Sequence, residues 1–145
     1  MTKTIEKHCM IHATPERTFQ ALTEKAELER WFVRSAEGNL CPGGAMRFEW
    51  ATDMVEQGQI LEIEPSHRFS YTWEAFSPSP VTINFELSAE QGGTRLHFIQ
   101  SGIGEGENWG NYYAGMSHGW DIHLDHLAAW LETGNCPPPG PTKSL

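Results

Sequence analysis

Five ionisable side chains crowd one stretch near the C-terminus: His118, Asp121, His123, Asp125 and His126. Imidazole beside carboxylate suits two chemistries, acid–base transfer and binding of a divalent metal ion. A zinc site needs three or four converging ligands, and on a helix the usual pair of histidines stands at i and i+4. His123 and His126 are three apart, there is no HExxH pattern, and the sequence presents no second cluster of ligand-type residues. The expectation is therefore no metal and no cofactor, with these residues on a solvated helix face where His and Asp pair locally. Glu74, closing an aromatic run, and His97, inside a strand pattern, are the remaining acid–base candidates. An acid and a base must converge on one pocket. By alternation both residues lie opposite to their apolar neighbours and point outward. Ser101-Gly102 reads as a turn and not as a nucleophile elbow. No catalytic residue is assigned.

The polar stretch rides on an apolar helix. Met116, Trp120, Leu124, Leu127 and Leu131 are spaced four, four, three and four apart, which puts all five on one stripe. Gly115 and Gly119, also four apart, share a helix face, and each costs about 1 kcal/mol relative to Ala in a helix interior. The missing side chains are expected to leave room for a ligand or for close approach of the sheet. Upstream, strands dominate. Ile5–Ile11 is a first strand. Thr14-Pro15-Glu16 starts a short helix with a hydroxyl cap, a proline at the first position and an acid near the positive dipole end. A second short helix spans Ala26–Trp31. Gly38–Cys41 is a brief strand before the turn Pro42-Gly43-Gly44. Period-two alternation then marks Met46–Trp50, Phe69–Trp73, Val81–Ser88 and Thr94–Gln100, with Val55–Glu64 a longer strand. Ser101–Asn108 connects to the helix. Gly134 caps the helix, and the Pro-rich residues after it read as an extended tail. The domain is taken as 1–134 and the tail as 135–145.

Short connections favour antiparallel neighbours. One long apolar helix after such strands has one economical solution, a sheet curled around the helix so that each buries the other's apolar face. Trp31, Phe48, Trp50, Tyr71, Trp73, Phe85, Phe98, Tyr112, Met116 and Trp120 are then expected to face the space between them. They fill it as core, or they line a cavity for a small apolar molecule.

At 145 residues the chain makes one domain that buries roughly two thirds of its unfolded surface. Its net charge of −9 argues against nucleic acid and against an anionic membrane, both of which need a basic patch. The same lack of basic residues removes a DNA-reading role from the two short helices. Cys9, Cys41 and Cys136 are an odd number without a CxxC pair, as expected of reduced thiols in a cytoplasmic protein. No apolar run approaches the roughly 20 residues that span a bilayer.

The chain resembles the helix-grip superfamily of START domains and polyketide cyclases, and within it the subfamily related to the C-terminal domain of the activator of Hsp90 ATPase. The resemblance rests on the order and spacing of several pieces. These are Ala13–Thr23, Leu28-Glu29-Arg30-Trp31-Phe32, Gly43-Gly44 before Met46-Arg47-Phe48, Gly58–Pro65 followed by Phe69–Trp73, Gly93–Leu96 with Ser101-Gly102, and the helix bearing Trp120, Leu124 and Leu127. It implies an α+β helix-grip fold: a seven-stranded curved antiparallel sheet wrapped around a long C-terminal helix, with two short helices after the first strand. It also implies an internal cavity that in many relatives holds a small apolar molecule, without implying one reaction. The chain departs from the pattern at Gln100, where many relatives carry His. The function this implies is non-catalytic binding of a small hydrophobic or amphipathic ligand. The alternatives are a chaperone-associated domain that binds a protein partner or a second copy of itself, and a cyclase- or hydrolase-like enzyme.

Overall fold

Strands that alternate apolar and polar residues bury one face and solvate the other, so their pairing follows from which residues must point inward. A computed structural model describes residues 2–50 and 53–135. Its seven strands are β1 (Lys3–Ile11), β2 (Ser35–Gly38), β3 (Ala45–Glu49), β4 (Val55–Glu64), β5 (Arg68–Trp73), β6 (Val81–Glu90) and β7 (Gly93–Ile103). They form one antiparallel sheet in the order β1-β7-β6-β5-β4-β3-β2. Strands β2 to β7 meander, and β1 closes the far side against β7. Two short helices, α1 (Pro15–Thr23) and α2 (Lys25–Trp31), follow β1, and α3 (Tyr112–Thr133) crosses the inner face. This is the α+β helix-grip arrangement expected from the sequence.

The local chemistry explains the boundaries. Thr14 Oγ1 accepts the Arg17 amide at 3.1 Å and Pro15 opens α1. Gly134, at φ 75°, ends α3 in a left-handed turn that its missing Cβ permits. In β1, Ile5 and Ile11 are 2% and 0% exposed, so the odd-numbered face points inward.

Two boundaries differ from expectation. The strand expected at Gly38–Cys41 lies earlier, because Ser35–Gly38 pairs with Met46–Glu49 and the chain turns through the residues after Gly38. Ser101-Gly102, expected as a turn, lies inside β7. The register of β1 with β7 slips there, Lys3 facing Ile103 while Ile5 faces Gln100, so β7 carries the extra residue of a bulge, and Gly102 accommodates it at φ 83°.

The core joins the inner face of the sheet to one stripe of α3. Phe48, Tyr71, Phe85 and Phe98 lie under Trp120, Leu124 and Leu127, all 6% exposed or less. Cys9 is half-buried and Cys41 exposed, neither in a disulfide. Burial pushes the Cys9 thiol up to about 11, which keeps it protonated and unreactive. Cys136 and the rest of the Pro-rich segment, 136–145, lie outside the described residues. No helix among the described residues is long and apolar enough to cross a membrane.

Candidate functional site

The first half of α3 does not seal against the sheet. A cleft, partly open to solvent, lies between Tyr112–His123 of α3 and the ends of β3, β4 and β5. Trp50, Met54, Trp73, Phe76, Met116 and Trp120 supply its apolar walls, and Glu56, Tyr112 and His123 its ionisable groups. Gly115 and Gly119 complete the helix side. A Cβ placed on Gly115 would meet nothing within 4 Å, so this glycine borders open space.

The sequence-derived aromatic set therefore divides. Trp50, Trp73, Tyr112, Met116 and Trp120 stand in the cleft wall. Trp31, Phe48, Tyr71, Phe85 and Phe98 do not, and each is 2% exposed or less. Trp31 Nε1 donates to the Ala21 carbonyl at 2.9 Å and pins α2 to α1. Phe98 stacks obliquely under Trp120 at 4.2 Å, and Phe85 meets the same indole edge-on at 5.9 Å.

Two wall residues were not expected there. Glu56, a charged residue, is only 4% exposed. Its Oε1 accepts the amides of Gln57, Glu74 and Ala75 at 3.1, 2.9 and 2.7 Å. Burial pushes the Glu56 carboxyl above its ordinary range, while those amides pull it back down. The sequence points His123 to a solvated face. Instead its ring is walled in by Phe32 at 5.0 Å and by Trp50 and Trp120, both at 5.3 Å. Burial first, and His126 second, hold its pKa down to about 3, so at neutral pH it is an uncharged imidazole.

Behind the wall, Gln100 is fully buried. Its Oε1 accepts from Trp120 Nε1 at 3.1 Å and its Nε2 donates to the Tyr112 hydroxyl at 3.2 Å. An amide at this position fixes two wall residues by hydrogen bonds and brings no titrating group to the site. Burial, opposed by the Gln100 bond, pushes the Tyr112 phenol up to about 12. Trp73 Nε1 has no such partner. Among the described residues it is the one buried side-chain polar atom without a hydrogen bond.

The two acid–base candidates from the sequence lie elsewhere. Glu74 is exposed, its carboxylate accepting from Thr72 Oγ1 at 2.6 Å. His97 points to the outer face, between Glu6 at 2.8 Å and Glu86 at 3.3 Å. It stacks on His8, its partner across β1 and β7, at 4.3 Å. Strand pairing thus assembles Glu6, His8 and His97, whose donor atoms lie within 4.8 Å of one another. The sequence was expected to hold no second group of ligand-type residues. Sequence distance concealed this one, since His97 is 91 residues from Glu6. Both ring nitrogens of His97 already face carboxylates, and the outer face leaves the group in water.

A family model described as activator of Hsp90 ATPase homolog 1-like protein matches residues 12–132. No curated protein matches the chain in sequence. Among solved structures, the Aha1 dimer from Colwellia psychrerythraea superposes with a TM-score of 0.82 at 22% identity, covering 91% of this chain and 98% of that one. Protein MLL2253 from Mesorhizobium loti gives 0.80 at 23%, covering 90% and 97%. Protein CV1439 from Chromobacterium violaceum gives 0.69 at 28%, covering 89% and 96%. The Colwellia and Mesorhizobium likenesses speak to the fold, and the family match spans most of the chain. The chain belongs to the activator of Hsp90 ATPase homolog 1-like family.

Proposed function

We propose that this protein binds a small, mainly apolar molecule in the cleft between the sheet and the first half of α3, without transforming it. The observation that carries the reading is a partly open cleft walled by tryptophan, phenylalanine and methionine. Apolar walls with few polar groups are the usual make-up of small-molecule sites. The glycines agree with it. Helix interiors disfavour glycine, and here two of them border the cleft, where side chains would reduce its volume. The test is titration with an apolar fluorescent probe, read by quenching of tryptophan emission. Saturable binding that weakens in Met116→Ala is expected. Absence of saturable binding across a range of apolar probes would remove the reading.

A second reading, acid–base catalysis on a bound molecule, draws support from Glu56 and His123 bordering one cleft. A molecule bound there can meet a carboxyl and an uncharged imidazole at once, which is the geometric requirement for acid–base chemistry. Native mass spectrometry of the purified protein separates the readings. A single unmodified molecule that copurifies supports binding, and turnover of it that disappears in both Glu56→Gln and His123→Gln supports catalysis.

A further inference from the structure

The cleft carries one formal charge. Glu56 is the only carboxylate in the wall, and no cationic side chain lines it. Glu56 is 4% exposed, yet among the described residues no cation pairs with it. Buried charges are ordinarily paired. Here backbone amides hold the carboxylate instead: Gln57, Glu74 and Ala75 donate to Oε1, and the Phe76 amide assists them. Donors aimed at a carboxyl favour its charged form.

The second oxygen is left over. Oε2 takes none of those three bonds, and it is not sealed away. Among the described residues the one buried side-chain polar atom without a partner is Trp73 Nε1. The open space that Glu56 lines is the cleft, so Oε2 is the oxygen an occupant meets. A carboxylate oxygen accepts about two hydrogen bonds, which leaves it capacity for a donor.

The rest of the wall suits the same kind of occupant. Trp50, Trp73, Phe76, Tyr112 and Trp120 border the space, and the face of an aromatic ring attracts a cation, tryptophan most strongly. The negative charge is felt on the α3 side as well: burial raises the Tyr112 phenol first, and Glu56 adds to the rise. His123 stays uncharged, so it neither repels a cation nor pairs with an anion. The net charge of −9 draws cations toward the protein as a whole. An anion entering the cleft would be desolvated against a like charge with no counter-ion.

We infer that the cleft takes a cationic amphipathic molecule, an apolar body that sits among the aromatic walls and carries an ammonium whose N–H groups donate to Glu56 Oε2. This rests on the binding reading above and narrows its ligand class.

The test compares three probes of similar size by calorimetric titration at neutral pH and physiological salt: 2-ethylnaphthalene, 2-(aminomethyl)naphthalene, which is an ammonium at that pH, and 2-naphthoate. They share the apolar body and differ in charge. The ammonium is expected to bind at one site, about tenfold more tightly than the hydrocarbon, and to be displaced by it; naphthoate is expected to bind more weakly than either. Glu56→Gln keeps an oxygen for the backbone amides and removes the charge, so the ratio of ammonium to hydrocarbon affinity should fall toward one. Equal affinity of ammonium and hydrocarbon, an advantage that survives Glu56→Gln, ammonium binding that the hydrocarbon does not displace, or naphthoate binding as well as the ammonium would each overturn the inference. The wild-type series decides it even where the variant fails to fold. If the hydrocarbon binds and the ammonium gains nothing, only this inference fails. If none of the three binds, the binding reading fails with it.

Discussion

The two halves of α3 treat the same sheet differently. From Leu124 onward the helix is fastened down: Leu127 is fully buried, Trp130 Nε1 reaches Glu27 at 2.7 Å, and Glu132 accepts the His12 amide at 2.9 Å. Before Leu124 only Trp120 and Gly119 are fully buried, and the sheet-facing side borders a cleft. Lys7 holds this half from the other side, through Asp121 at 2.8 Å and Ser117 at 3.0 Å. One half of the helix therefore anchors the fold, and the other is held open against it. A helix needs only part of its length to specify a fold, and the remainder is available to shape a site.

The contrast predicts a graded series. Truncation in the anchored half should cost most. Leu127→Ala is expected to destabilise by about 2–5 kcal/mol in urea unfolding, the range for a buried leucine, without altering affinity for an apolar probe. Met116→Ala, half-buried in the open half, should cost only about 1 kcal/mol, because it enlarges an existing space and opens no new void, and its effect should appear in probe affinity. Equal losses of stability at the two positions would erase the distinction between the halves.

The pH response comes next. The folded protein holds His123 neutral down to about 3, whereas the unfolded chain takes up the proton near 6.5. A depressed histidine contributes stability that is present above pH 6.5 and lost as the pH falls toward 3. Relative to the wild type, His123→Leu should therefore lose less stability over that window, by on the order of 1–3 kcal/mol. Glu56 has the opposite sign. Its folded pKa is raised, so acidification through that pKa favours the fold, and Glu56→Gln should remove this gain. Melting curves of wild type and His123→Leu that stay parallel from pH 7 to 3.5 would show that His123 is not desolvated.

Smaller effects separate the glycines. Gly115→Ala projects a methyl into open space and should raise stability by a few tenths to 1 kcal/mol, while taking volume from the cleft. Gly119 is buried in the cleft wall. Its alanine variant should gain less than Gly115→Ala, or should weaken probe binding through overpacking. A clear rise in melting temperature with unchanged affinity in Gly119→Ala would refute this. The smallest expected effect is that of a chelator. Glu6, His8 and His97 sit on the outer face away from these determinants, so the melting temperature should not move on chelation. A stoichiometric metal in elemental analysis of untagged protein would contradict that expectation.

Much of this architecture is legible in the residues. Alternation in Val81–Leu87 and Phe69–Trp73 matches the buried faces of β6 and β5, and the Thr14-Pro15 start and Gly134 stop bracket helices as their chemistry demands. What escaped was polar. Glu56 shares a strand face with Gly58 and the buried Ile60, two and four residues on, so alternation alone directs it inward. A single charged residue among polar neighbours gives no hydrophobic signal, and only the parity counted back from Ile60 betrays it. His123 follows Trp120 by three residues and precedes Leu127 by four, which places it on the edge of the apolar stripe. Its neighbours Asp121 and Asp125 suggest solvent instead. The Glu6–His8–His97 group depends on which strand lies beside β1, a fact that no local spacing contains.

The carboxylate of Glu56 also joins two parts that look separate. It stands in the wall of the cleft, yet its bonds run to the amides of Glu74 and Ala75, where β5 leaves the sheet and leads to Phe76 at the rim. Interior and rim are therefore tied through this oxygen, which shares the Glu74 amide with the Gln57 carbonyl at 2.8 Å and takes the Ala75 amide at 2.7 Å. Anything inside that draws hydrogen-bonding capacity from this oxygen loosens the strap at the entrance. The chemical character of the occupant is thereby written into the stiffness of the doorway, and amide exchange at residue 75 is where it can be read.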